Sequence, residues 1–193
     1  DGSQFRGTAE FRCTRFDGVA SYDRVHFYSN ANFTGRTDPE PPELRQFHEL
    51  EFHGARFGSG ADFSNREFQA RTDFGSCVFA RAPRFHGSSL HQDTSFGGIH
   101  CFPDVTSEGA DSAYRTLRLA MEEQRARDEE GIFYAQERKA RRNLKMARFS
   151  PEYLISLGYD LGSNYGLSVA RPLAWFLGGI IASAFLLLNI GVF

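Results

Sequence analysis

Large apolar residues recur every eleven positions along the first half of the chain. Phe52, Phe63, Phe74, Phe85 and Phe96 are eleven apart, and Phe57, Phe68, Phe79 and Leu90 repeat the period with an offset of five. Upstream, Phe5, Phe11, Phe16, Tyr22, Phe27 and Phe33 advance by alternating steps of six and five. A beat of this length matches neither the turn of an α-helix nor the two-residue alternation of a flat strand. It fits a backbone that turns a corner at each step and points one large side chain inward per side. A small residue two positions earlier completes each inward pair, as Ala9, Ala20, Val25, Ala31, Ala55, Ala61, Thr72 and Cys77 do. Four sides give a square coil of about 22 residues, and stacked coils would lie roughly 4.8 Å apart, the spacing of hydrogen-bonded strands.

The Ala-x-Phe units in GARFGSG, GADFSNREF and ANF resemble those of pentapeptide-repeat proteins, whose units read small-x-(Leu/Phe)-x-x. The resemblance covers about residues 1–103. It implies an all-β solenoid, a right-handed quadrilateral β-helix, followed by an α-helical linker and one transmembrane helix. The expected structural core is Phe11, Phe16, Phe27, Phe33, Phe52, Phe57, Phe63, Phe68, Phe74, Phe79, Phe85, Leu90 and Phe96. Arg45, Leu50, Arg66, Pro83 and His100 depart from the pattern by occupying small inward slots. Between Phe33 and Phe47 the stretch TGRTDPEPPELRQ adds three residues to the beat. It reads as a loop insertion over 34–46, because Pro39, Pro41 and Pro42 cannot donate ladder hydrogen bonds.

After Asp111 the beat gives way to helical spacing, and a helical cap and linker is expected over 111–165. Tyr114, Leu117 and Met121 mark one apolar face, with Asp111 or Ser112 as N-cap. Phe133, Ala140 and Leu144 mark the face of a second helix, with the break near Gly131. Ser150-Pro151-Glu152 reads as cap, first helical position and acidic first turn of a third.

Residues 172–193 carry no charge and read as the transmembrane helix. At 1.5 Å per residue they would extend about 33 Å, against a hydrocarbon core of about 30 Å. A buried core or oligomer-interface helix is the alternative reading. Arg138, Lys139, Arg141, Arg142, Lys145 and Arg148 form a basic run without an acidic residue, and Arg171 abuts the span. They are candidate contacts to anionic lipid, each worth about 1 kcal/mol near a charged surface; a solvated helix face is the plainer reading. By the positive-inside rule the repeat domain is expected on the cytoplasmic side, in a bacterial inner membrane. The stretch SNYGLSVARPLAWF resembles the juxtamembrane part of bacterial pentapeptide-repeat membrane proteins. The chain opens on Asp1 and closes on Phe193 inside an apolar run, which reads as an excerpt or a processed form.

Arg outnumbers Lys 20 to 2, the bias of a GC-rich bacterial gene. Cys13, Cys77 and Cys101 form neither a zinc knuckle nor an even disulfide framework, so a reducing compartment is expected. His48, His53, His86 and His91 flank inward residues and would point outward on different faces, so no metal site and no cofactor are expected. A column filled with Phe leaves no pocket for a nucleophile and base; Cys77, in an inward slot, reads as packing, and no enzyme activity is expected.

With 22 basic and 24 acidic residues the net charge is −2, which argues against a nucleic-acid binder. The expected function is therefore a membrane-anchored interaction scaffold. Its partners would be membrane lipid and an unidentified protein, with a homo-oligomer as a further candidate. The resemblance also implies two other roles. One is the N-terminal regulatory part of an ion channel or transporter whose pore lies beyond Phe193. The other is a DNA-mimicking topoisomerase binder, which the mixed charge of residues 1–109, 15 acidic and 11 basic, disfavours.

Overall fold

A computed structural model describes residues 2–35 and 46–190. The expected loop insertion lies almost wholly outside the described residues, as do 191–193 of the expected span. The chain divides into two compact units, Asp1–Leu144 and Lys145–Phe193.

The first unit opens with short strands: β1 (Gln4–Phe5), β2 (Ala9–Glu10), β3 (Phe16–Ser21), β4 (His26–Phe27), β5 (Ala31–Asn32) and β6 (Gln46–Glu51). These continue as β7 (Arg56–Phe57), β8 (Ala61–Asp62), β9 (Glu67–Phe68), β10 (Asp73–Phe74), β11 (Val78–Phe79) and β12 (Ser95–Phe96). They pair in parallel as four separate sheets, β1-β4-β7-β11, β2-β5-β8, β3-β6-β9 and β10-β12. Phe57 pairs with Phe79 and Phe74 with Phe96, each 22 residues on, as the beat requires. Pairs that straddle the segment 36–45, such as Phe27 with Phe57 and Ala31 with Ala61, are 30 apart. The extra length is thus eight residues (30 − 22), not three. Phe16 pairs with Phe47, 31 residues on, so Phe33 to Phe47 is one step of five, as from Phe11 to Phe16, plus nine, rather than two steps plus three; the pairing of Phe47 with Phe68, 21 on, recovers one of the nine.

The expected all-β solenoid is corrected. Helix makes up about 39% and strand about 19%, a mixed α/β fold with no closed solenoid among the described residues. A five-residue beat records where side chains turn inward, not how long the backbone stays extended between corners. Most strands are two residues long, the ladder breaks at each corner, and the β3–β6 pairing shifts register between Phe16 and Val19.

The rings themselves stack in files. Phe5, Phe27, Phe57, Phe79 and Phe102 lie nearly parallel at centroid spacings of 5.1, 5.1, 4.7 and 5.5 Å. Phe11, Phe33, Phe63 and Phe85 follow at 4.8, 5.0 and 4.9 Å. Tyr22, Phe52, Phe74 and Phe96 follow at 5.1, 5.2 and 5.2 Å. These spacings track the strand separation. The second file meets the other two edge to face, as Phe33 and Phe52 do at 5.5 Å and 89°, whereas the first and third meet tilted, as Phe57 and Phe52 do at 6.1 Å and 49°. Each edge-to-face contact is worth about 0.5–1.5 kcal/mol beyond area burial. The fourth file is irregular: Phe16 is tilted against Phe47, and Phe47 meets Phe68 edge-on. Of the thirteen expected core residues, Phe11, Phe16 and Leu90 are only partly buried and the other ten are buried.

Two helices then cover the ring files at their C-terminal end, α1 (Ala110–Gln124) and α2 (Arg127–Lys145). Phe133 packs on Phe96 at 5.2 Å and on Phe102 at 5.0 Å, edge to face. Tyr114, Leu117, Met121 and Ala140 join this core, whereas Leu144, expected on the same face, is exposed. Gly109, in the left-handed region at φ 81°, caps α1, with no side-chain cap from Asp111 or Ser112. The break between helices falls at Arg125, φ 60°, and Gly131 lies inside α2. At the other end β1, β2 and β3 are outer strands of their sheets.

The second unit holds α3 (Pro151–Ser163) and α4 (Ala170–Ile190). Ser150 caps α3 by accepting from the Tyr153 amide at 3.1 Å, with Pro151 and Glu152 in the first turn as the sequence predicts. A turn with three successive left-handed residues, Asn164, Tyr165 and Gly166, leads to α4.

Candidate functional site

Three places in the molecule carry chemistry beyond packing. The first is Arg66, one of the residues that break the repeat pattern. It is fully buried. Its Nε donates to the Phe33 carbonyl at 2.5 Å, and its two terminal nitrogens donate to the carbonyls of Thr14 at 3.3 Å and Phe11 at 3.0 Å. Its Cζ lies 4.4 Å from the centre of the Phe47 ring, a cation–π contact. Burial pulls the guanidinium down to about 10, which still leaves it charged at neutral pH. A planar fork with five donors suits this task, since one guanidinium can donate to three carbonyls at once. Arg66 is a structural tie between distant stretches of the first unit, beside the irregular fourth file.

The second place is a groove of about 300 Å³ along the β2-β5-β8 sheet, where Glu10, Asn32 and Asp62 stack in register and Arg84 bridges on. Much of this polarity is spent on its own turns. Asn32 Oδ1 accepts from the Thr34 amide at 3.1 Å and its hydroxyl at 2.8 Å, and Asp62 Oδ1 accepts from the Ser64 amide at 3.0 Å. Asn30 Oδ1 accepts from Ser59 Oγ at 2.8 Å and the Gly60 amide at 3.1 Å. The Arg84–Asp62 ion pair is long, 3.9 Å, and exposed, so it contributes little.

Asp104 lies at the same groove and joins the sheets to α1. Its Oδ2 accepts from the Ala82 amide at 3.0 Å, and its Oδ1 from the amides of Thr106 and Ser107 at 3.1 and 3.0 Å. Burial alone would raise this carboxyl, but those three amides hold it below the ordinary range. Cys77 is the reverse case. Its Sγ donates to the Phe52 carbonyl at 2.8 Å, and burial pushes the thiol up to about 12, a protonated packing group and a poor nucleophile.

The third place is the second unit. All 18 residues of the window Ala170–Leu187 are exposed, and the window is long and apolar enough to cross a membrane. At 1.5 Å per residue, α4 extends about 32 Å. Trp175 stands in its second turn and donates from Nε1 to the Leu161 carbonyl at 3.3 Å. Arg171 donates to the Asp160 carbonyl at 2.9 Å. These contacts fix the C-terminal half of α3 beside the first turns of α4. Behind them, Ser156 Oγ and Tyr165 Oη share a buried hydrogen bond of 2.6 Å.

The basic run is not one face. Arg142 is buried, and Arg138 and Lys139 are half-buried, while Arg141, Lys145, Arg148 and Arg171 are exposed. The turn of α2 separates them: Arg138 and Arg142 are one turn apart on the side toward the first unit's core, and Arg141 and Lys145 are one turn apart on the open side. The four expected outward histidines are exposed except His91, which is half-buried 3.7 Å from Asp93. Sequence reasoning did not assign the outward apolar face of α3, although Leu154, Ile155, Gly158 and Leu161 carry helical spacing that marks it. Compared with known proteins, the chain matches no family model, no curated protein and no solved structure.

Proposed function

We propose that this chain is a non-enzymatic, membrane-anchored interaction scaffold. The observation that carries the proposal is the apolar stretch Ala170–Leu187 of α4, exposed along its whole length. Hydrocarbon covers every side of a helix at once, and spontaneous insertion gains roughly 0.3–0.6 kcal/mol per Leu, Ile, Phe or Val near the helix centre. The ring-stacked unit supplies a rigid body with mixed-charge outward residues, suited to recognition. The sequence resemblance to membrane-bound pentapeptide-repeat proteins supports the same reading. Arg171 beside the span favours a cytoplasmic body in a bacterial inner membrane by the positive-inside rule, and exposed Arg141, Lys145 and Arg148 lie just beyond the stretch in which that rule works best.

The test is quantitative cross-linking in membranes from cells expressing the full chain, compared with an Asp62→Arg, Arg84→Glu variant. The expected result is a protein partner cross-linked to the β2-β5-β8 groove and lost from the variant, with both chains in the membrane fraction. A chain found in the soluble fraction, or partners indifferent to the groove, contradicts the proposal.

A further inference from the structure

Helix α3 is built inside out. Projected at 100° per residue, Leu161, Leu154, Gly158, Pro151, Gly162, Ile155, Tyr159 and Glu152 span one half of its circumference. Leu154, Ile155 and Leu161 on this arc are 51%, 73% and 56% exposed. The polar side chains Ser156, Asp160 and Ser163 occupy the other half together with the half-buried Tyr153 and Leu157, and Ser156 is buried there against Tyr165. A helix packed on a water-soluble body turns these halves the other way. Glu152, in the first turn at the edge of the arc, is its one charge.

From this we infer that the arc of α3 lies in the boundary between lipid headgroups and acyl chains, as a shallow second contact with the bilayer. The inference rests on the reading of α4 as a membrane span. The two hydrogen bonds to the carbonyls of Asp160 and Leu161 hold α3 at the level of Arg171 and Trp175. That level is where a span enters the hydrocarbon and where an amphipathic indole belongs. At 13 residues α3 is too short to cross, and length in this range marks interfacial segments. An apolar arc at that depth would bury itself about 5–10 Å below the surface. Exposed to water instead, it would be an unpartnered hydrophobic patch continuous with α4. The bilayer is thus the occupant that covers both helices.

Trp175 is the chain's only tryptophan, so single-tryptophan probes are available. In a Trp175→Phe background, Ile155→Trp and Ile181→Trp are reconstituted separately, as full chains, in phosphatidylcholine–phosphatidylglycerol vesicles. One vesicle set carries bromine high on the acyl chains and the other near their methyl ends. The expected result is a larger loss of emission at 155 in the shallow set and at 181 in the deep set. Leu154→Trp, on the same arc, repeats the test should Ile155→Trp disturb α3. No loss at 154 or 155 with deep loss kept at 181 overturns the inference and leaves the anchor standing, the arc then belonging to a protein. Deep loss at 155 also overturns it, by placing α3 within the hydrocarbon. No loss at 181 overturns the membrane reading of α4 and this inference with it.

Discussion

The two units use apolar side chains in opposite ways. Between β1 and α2 the rings face each other, and the outward positions hold Glu10, Asn32, Asp62 and Arg84. In α3 the apolar Leu154, Ile155 and Leu161 face out, as do the apolar residues of α4 up to Leu187, and the buried contact is the polar pair Ser156–Tyr165. The first unit completes its own burial. The second leaves Leu154, Ile155, Trp175, Phe176 and Ile181 for its surroundings to cover. The apolar run of α4 already sets the second unit apart in sequence; the direction of the side chains adds that this run and the arc of α3 are left uncovered.

The strongest way to break this contrast is Phe74→Asp. Phe74 is fully buried between Phe52 and Phe96, 5.2 Å from each, so an unpaired carboxylate there should abolish the cooperative thermal transition of the first unit. A retained transition would mean the files do not hold the unit together. Next comes Arg66→Ala, which removes the side-chain donors to the carbonyls of Phe33, Thr14 and Phe11 and empties the space over Phe47. Denaturant unfolding should show a loss of about 3 kcal/mol or more. Arg66→Met, which refills volume without donors, should recover only part of it.

Asp104→Asn should cost about 2 kcal/mol near neutral pH, because one charged acceptor serves three amides. The folded carboxyl lies below its unfolded value of about 3.8, so its contribution is complete above that value. It is lost as pH falls through the lower folded value. Wild type and variant should therefore converge in acid below about pH 4, read from paired denaturant curves. A gap that stays constant in acid contradicts the assignment. The smallest effect belongs to Asp73→Asn. Asp73 Oδ1 accepts from the Gly75 amide at 2.7 Å and from Ser95 Oγ at 3.0 Å, and an Asn oxygen can do the same. The shift should stay within about 0.5 kcal/mol.

How much of this was legible depended on whether the deciding contact was local. The inward beat located Phe27, Phe33, Phe52 and Phe63 because the same step recurs along the chain. Ser150 was legible because a cap, a proline and an acidic turn sit within three residues. Gly109 was not, since a left-handed backbone can cap α1 without any side-chain signature. Gly131 suggested a helix break by its low propensity, but packing of Phe133 and Ala135 carries α2 through it. Arg66 looked like a fault in the repeat, because its partners are 33, 52 and 55 residues away. The fold class was misjudged for a related reason: inward positions say nothing of the corners between them. The basic run was legible as charge, but its division between buried Arg142 and exposed Arg141 needed the helix direction.

The contrast is tested most directly by alkaline extraction of membranes carrying the full chain or a Leu177→Asp, Ile181→Asp variant. Each aspartate near a helix centre opposes insertion by about 2.5–3.5 kcal/mol. The account predicts that the wild-type chain stays in the pellet and the variant moves to the supernatant, with the melting temperature of its first unit unchanged. A wild-type chain that extracts freely, or a variant whose first unit melts as early as a core mutant, would contradict it.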